Sequence, residues 1–170
     1  MKLRALKKED APGMLEWMHD PDVVKNMQTN FAAKTMDDCL RFIEASRTDS
    51  GNLHLAVADD RDEYLGTVSL KHLHDGRAEF AITMRRRAMG TGAAREAMAQ
   101  MLEKGLKEMG LRSVYWCVSP DNARAVRFYD KNGYPRAAAP AEAAGYSPEQ
   151  ISRYIWYQVS ADPGNLIRRV

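Results

Sequence analysis

The segment Arg85 to Ala94, RRRAMGTGAA, is where this 170-residue chain most clearly sets out chemistry. It follows a strand pattern and runs into a helix pattern. Gly90 and Gly92 carry no Cβ, so their amides can approach a ligand closely. The following helix presents unsatisfied N–H groups and the positive end of its dipole at the same point. Such a corner binds anions and suits a pyrophosphate. Arg85, Arg86 and Arg87 add positive charge beside it. No Gly-Lys-Ser/Thr follows, so this is not a Walker loop. The third glycine of a dinucleotide fingerprint would fall on Arg95, and the strands ahead read as antiparallel. The structural alternative is a plain tight turn.

Other reactive side chains are scattered. Cys39 and Cys117 lie far apart with no zinc spacing, and no metal site is expected. Each reads as a small core residue, and no base is identifiable beside Cys117 to make it a nucleophile. His72 and His74 are candidate bases by residue type, but a hairpin end is more often a solvent-exposed position. The chain has 25 basic and 23 acidic residues. That balance gives no reason to expect nucleic acid or a membrane surface as partner. Met1 to Asp10 is charged and lacks the apolar stretch of a secretory signal. No apolar run approaches the roughly 20 residues of a membrane span. A cytoplasmic protein is expected.

The elements that must position these groups read as one domain over residues 1–170. Met1 to Ala5 is a short first strand. Glu9 and Asp10 open a helix that tolerates Pro12 in its first turn and that Asp20-Pro21 breaks. Thr35 caps a second helix, with Asp37 and Asp38 in its first turn. Its buried side is expected at Leu40, Ile43 and Phe42. Leu53 to Ala58, Tyr64 to Leu73 and Arg77 to Met84 follow as strands, and Asp75-Gly76 signals a hairpin. Short turns make these three antiparallel. Ala94, Ala97, Met98, Met101, Leu102, Gly105 and Leu106 then recur at helical spacing, and Gly110 closes that helix. Val114 to Val118 is a strand, and Asn122 to Lys131 another helix. Tyr134 is expected to start a strand. Ser147 caps a short helical turn, and a final strand runs to Val159. The tail after Asp162-Pro163-Gly164 is expected to be loosely held. The sum is an α/β (α+β) fold: a mixed, mostly antiparallel central sheet with helices on both faces.

A second segment, Asn122 to Tyr134 (NARAVRFYDKNGY), changes the weight of the first. Arg87-Ala88-Met89-Gly90-Thr91-Gly92 resembles the Arg/Gln-x-x-Gly-x-Gly/Ala acetyl-CoA loop of the GNAT superfamily. Asn122-x-x-Ala125-x-x-Phe128-Tyr129-x-x-x-Gly133-Tyr134 resembles that superfamily's later motif, and the interval between the two fits. Leu3-Arg4, Glu9-Asp10-Ala11 and Trp17-x-x-Asp20-Pro21-x-Val23 are similar to the branch containing ribosomal-protein N-terminal acetyltransferases. The resemblance fades after about Arg136.

The resemblance implies acetyl-CoA as cosubstrate and direct acetyl transfer to an amine. The acceptor would be a small-molecule amine, an amino sugar or a protein N-terminus. It implies a cleft between two splayed strands, the one before the loop and Val114 to Val118. Backbone groups of Ile82 and Met84 would bond the pantetheine arm like an added strand. Amides of Arg87, Ala88, Met89, Gly90, Thr91, Gly92 and Ala93 would hold the pyrophosphate, and Asn122 would contact the arm. Tyr129 occupies the general-acid position, where a phenol of ordinary pKa about 10 can protonate the leaving thiolate. Glu79 is the candidate general base, because it shares a strand face with Ala81 and Thr83, away from Phe80, Ile82 and Met84. Its bland alternative is a solvated carboxylate facing Arg77 or a lysine. A bulge near Thr83 would be consistent with the family. Pro135 departs from the pattern and suggests a bulge or an edge start. Residues 137–152 form a longer connection than a hairpin turn, and there Tyr146 and Arg153 are either substrate contacts or surface residues. Trp17, Phe31 and Trp156 are either pocket lining or core. A homodimer is compatible with this reading. The rival functions are a non-catalytic acyl-CoA sensor or partner module and an unrelated nucleotide-binding α/β domain.

Overall fold

The structure, a computed structural model, describes residues 1–141, 143 and 145–161. Its sheet has six strands in chain order: β1 (Lys2–Ala5), β2 (Leu53–Ala58), β3 (Tyr64–His74), β4 (Arg77–Met84), β5 (Ser113–Val118) and β6 (Ile155–Ser160). Every pair is antiparallel except β4 with β5. That one parallel step requires a crossover, which α4 (Ala93–Glu103) supplies. The expected mixed sheet is therefore present.

Helices cover both faces. On one face α4 lays Ala97, Met98, Met101 and Leu102 against Val68, Leu70, Phe80, Val114 and Trp116. A π turn, Lys104–Glu108, continues α4. Gly105 is needed within it, since a Cβ there would lie 2.9 Å from Leu70 Cδ1. On the other face α1 (Ala11–Met18) and α3 (Met36–Ser46) form a second core with Ala56 and Tyr64. Arg4 on β1 grips the buried Asp10 carboxylate with two bonds, of 2.8 and 2.9 Å, ahead of α1. Trp17 donates to the Tyr64 hydroxyl at 2.9 Å.

Four expectations need correction. The buried side of α3 is Cys39 and Ile43, while Leu40 and Phe42 are 38% and 36% exposed. Asp20-Pro21 does not only break a helix. Asp20 caps α2 (Pro21–Val24), with proline in the first turn where its missing N–H is harmless. Tyr134 starts no strand. Pro135 cannot donate, so that segment makes only a single bridge, Arg136 to Tyr157. The irregularity on the β3–β4 pair falls between Lys71 and His74, at the hairpin end, and the pairing through Thr67 and Thr83 is regular. The tail expected to be loosely held lies outside the described residues.

The feature that matters most is where β4 and β5 part. They pair at Arg77 with Ser113, Ala78 with Val114 and Glu79 with Tyr115, and nowhere beyond. β4 stays paired to β3 through Met84, and β5 to β6 through Val118. A gap therefore opens in the middle of the sheet after Glu79. The rings of Phe80 and Trp116, first on each side, meet edge to face at 5.7 Å.

Candidate active site

The gap has unsatisfied backbone on one wall. Arg85 donates to the Leu65 carbonyl at 2.8 Å across the β3–β4 pair. N–H groups alternate sides along a strand, so those of Ile82 and Met84 turn away from β3, toward the gap. At its mouth lies the loop from Arg85 to Gly92. Gly90 and Gly92 have φ of 79° and 86°, a left-handed backbone that glycine adopts without strain. A Cβ at either would meet nothing within 4 Å, so the space above both is open. Ala88 and Met89 already donate to the carbonyls of Arg85 and Arg86, both at 3.0 Å. Ala93 donates to the Thr91 hydroxyl at 3.3 Å. The amides of Gly90, Gly92 and Ala94 have no acceptor among the described residues, and they converge at the α4 N-terminus.

The arginine side chains act differently from expectation. Arg85 donates to both Glu16 oxygens, at 2.6 and 2.9 Å. Arg86 donates to Asp20 at 2.8 Å and to Asp22 at 2.8 Å. Arg87 takes Glu63 with two bonds, of 2.8 and 2.9 Å. These guanidiniums tie the loop to α1, α2 and the β2–β3 turn rather than standing free. From sequence alone they stand as positive charge for an anion. Their acidic partners lie more than 20 residues away in the chain, out of reach of local inspection.

On the α4 side of the gap lies α5 (Ala123–Lys131), capped by Asn122, whose Oδ1 accepts from Ala125 N at 3.2 Å. Tyr129 points from this helix into the aromatic wall, 5.6 Å from Trp116 and 5.1 Å from Tyr157, ring centre to ring centre. Its hydroxyl has no hydrogen-bond partner among the described residues. Burial pushes its ionisation above the ordinary tyrosine value, so the phenol stays a proton donor.

On the opposite face Glu79 is 3% exposed. It is directly across from Lys71 in the β3–β4 register. Its carboxylate accepts from the Tyr146 hydroxyl at 2.6 Å. Lys71 Nζ stands 3.8 Å from it and His72 Nε2 3.5 Å. The bland reading of a solvated strand carboxylate is thus half right: lysine is the neighbour, but the carboxylate is buried. Tyr146 packs edge to face on Trp156 at 5.3 Å. Burial, with the Cys117 and Glu79 bonds adding to it, holds Tyr146 protonated. Burial also pushes the Cys117 thiol up to about 11. Between β2 and β3, burial lowers His54, which contacts the Ser69 hydroxyl at 2.6 Å.

One cavity of about 660 Å³ joins the two sides. It is lined by Tyr129, Asn122, Trp116 and Ile82 at the α5 end. It continues past Glu79, Cys117 and Tyr146 to Met14, Trp17, Phe31 and Phe42. The sequence-derived pair Tyr129 and Glu79 therefore borders one space. His74 is directed to Asp75 instead, at 3.2 Å. Arg153 pairs with Asp121. Trp17 and Phe31 both line the cavity and pack in the core. Tyr146 was the contact hardest to see from sequence. Its signal was an aromatic in a long connection that returns beside the last strand. Among the described residues no cluster of three or more His, Cys, Asp or Glu is placed to hold a metal ion, and no helix is long and apolar enough to cross a membrane.

Comparison with known proteins points the same way. A family model described as "Acetyltransferase (GNAT) domain" matches residues 1–135. An "Uncharacterized N-acetyltransferase p20" of Bacillus licheniformis is 25% identical over 141 residues, covering 80% of this chain and 79% of that protein. Among solved structures, a spermidine N-acetyltransferase of Vibrio cholerae, in complex with CoA and spermine, superposes with a TM-score of 0.78 at 18% identity. That superposition covers 98% of this chain and 97% of the other. A Bacillus anthracis acetyltransferase of the same fold gives 0.75 at 19% identity over 94% of this chain and 93% of the other. The structural neighbours are thus not specifically the ribosomal-protein enzymes that the N-terminal residues suggested.

Proposed function

The chain belongs to the GNAT acetyltransferase family as an acetyl-CoA-dependent N-acetyltransferase, and from that premise we propose that it passes the acetyl group directly to a primary amine, with no covalent enzyme intermediate. The observation that supports this most is the cavity through the β4–β5 gap, with Tyr129 on one side and Glu79 on the other. The pantetheine arm enters the gap and bonds the backbone of Ile82 and Met84. The pyrophosphate sits on the amides of Gly90, Gly92 and the first turn of α4. The amine nitrogen attacks the thioester carbonyl carbon, forming the C–N bond. Collapse of the tetrahedral species breaks the C–S bond, and the thiolate takes the Tyr129 proton. The proton lost by the nitrogen goes to Glu79, directly or through a water. Cys117 is no nucleophile here, since a thiol pushed up to about 11 is almost wholly protonated at neutral pH.

The N-terminal motifs resemble enzymes that act on α-amines, whereas the structural neighbour is named for spermidine. Both are primary amines. A cytoplasmic location accords with an acetyl-CoA supply.

The test has two arms. Acetyl-CoA at millimolar concentration should raise the melting temperature, and thiol release should follow when an amine panel is added. No melting shift would contradict the binding site. A shift without release from any amine would favour the acyl-CoA sensor. With a validated acceptor, Glu79→Gln should lower turnover and move the pH–rate profile upward, because the amine must then lose its proton to solvent.

A further inference from the structure

The acceptor half of the cavity has a definite charge pattern. Among the described lining residues its carboxylates are Asp38 and Glu79. Asp38 is occupied at the α3 N-terminus, accepting from Thr35 N at 2.8 Å and Arg41 Nη2 at 2.6 Å. Glu79, among the described lining residues, is the carboxylate not committed to a helix cap, although it already accepts from the Tyr146 hydroxyl at 2.6 Å. Beside it stands Lys71, 3.8 Å away and 35% exposed, directly across the strand pair. His72 Nε2 lies 3.5 Å from the same carboxylate. Burial keeps His54 neutral on this face. Beyond the pair the wall carries an apolar group, Met27, Phe31 and Phe42, beside the polar Asn26, Gln28 and Thr29 and a second cation, Lys34.

A polyamine would bring two or more ammoniums into a space with one available carboxylate. The remainder would lie beside the cationic Lys34 and Lys71 with no second uncommitted carboxylate among the described lining residues, which is unfavourable. A simple monoamine would leave Lys71 with nothing new to bind. An α-amino acid carries its ammonium and carboxylate on one carbon, so it can offer one charge of each sign to the adjacent Glu79 and Lys71. Its side chain would then point toward the methionine and the two phenylalanines.

Resting on the transferase reading above, we propose that the acceptor is a free α-amino acid with an apolar side chain. Its α-ammonium is held by Glu79 and its carboxylate by Lys71. Lys71 is a specificity-determining residue that touches substrate. Phe42, 36% exposed on α3 and packed 4.7 Å from the His54 ring, is an apolar surface left open to such a side chain.

The experiment measures kcat/KM by thiol release for L-phenylalanine, L-methionine, their amides, phenethylamine and spermidine. The free acids should exceed their amides roughly tenfold or more, as expected for a charge-assisted contact. Lys71→Met should bring the acid-to-amide ratio toward one, and Lys71→Arg should retain it. A purely structural role for Lys71 would lower acid and amide together and leave the ratio unchanged, which overturns the proposal. Spermidine or phenethylamine as the best substrate overturns the amino-acid assignment while upholding the transferase. Absence of turnover with every amine, despite acetyl-CoA binding, defeats the transferase reading and this proposal with it.

Discussion

Replacing Tyr129 by phenylalanine removes one proton donor and almost nothing else. The ring contacts with Trp116 and Tyr157 survive, at 5.6 and 5.1 Å between ring centres in the native protein. The hydroxyl has no protein partner among the described residues to strand, so the melting temperature should stay within a degree or two. Acetyl-CoA affinity should stay within about twofold, since the loop amides and the β4 backbone are untouched. What is lost is acid assistance to the leaving thiolate. A positioned general acid contributes roughly 10²–10⁴ in rate. A hundredfold fall corresponds to about 2.7 kcal/mol of transition-state stabilisation. Single-turnover rates should be compared, so that product release does not mask the chemical step. The pH dependence adds a check. Burial raises the Tyr129 pKa above its ordinary value of about 10. The acid form is therefore fully present throughout pH 6–9, and ionisation begins only on the alkaline side of the ordinary value. The mutant's deficit should be the same factor across that range. A single-turnover rate within threefold of wild type, or a deficit that disappears with pH in that window, would refute the assignment.

Three further outcomes are expected. Gly92→Val should weaken acetyl-CoA binding more than tenfold, because a valine must hold a φ of 86° and fill the open space over the loop; Arg85→Ala should instead cost stability through the lost Glu16 contacts, and isothermal titration together with melting curves separates the two. Cys117 should react slowly with iodoacetamide at pH 7.5 and progressively faster as pH rises toward its thiol pKa of about 11, and Cys117→Ser should keep turnover within about threefold; an inactive serine variant would reopen a covalent route. Tyr146→Phe removes the 2.6 Å bond to Glu79 and should lower kcat/KM for the acceptor by roughly ten- to a hundredfold, as for a hydrogen bond to a charged group, with the KM for acetyl-CoA unchanged.

What the sequence disclosed was local in character. Strand–turn–helix order, the N-cap at Thr35, and the alternation that sets Glu79 opposite Phe80 are all written in short windows. The loop at Gly90 and Gly92 was legible because both a left-handed turn and a close ligand approach call for glycine between a strand and a helix. The misreadings involve partners distant in sequence. Arg85, Arg86 and Arg87 looked like free charge until α1, α2 and the β2–β3 turn brought carboxylates to them. Phe42 looked buried by helical period, but the face it occupies opens onto a cavity rather than a core. Tyr134 failed as a strand start because the chain spends only one bridge there before the long connection leaves. The Tyr146–Glu79 contact spans 67 residues, and no window of the sequence contains both ends.

Hydrogen–deuterium exchange with and without acetyl-CoA tests most directly whether the β4–β5 gap is the cosubstrate site. The amides of Ile82 and Met84 face the gap, and those of Gly90 and Gly92 have no acceptor among the described residues. Peptides covering Phe80 to Ala94 should therefore slow markedly when acetyl-CoA binds, while β2 peptides covering Leu53 to Ala58 should not change. Saturating acetyl-CoA that leaves the Phe80 to Ala94 exchange unaltered, or protects another region instead, would contradict the account.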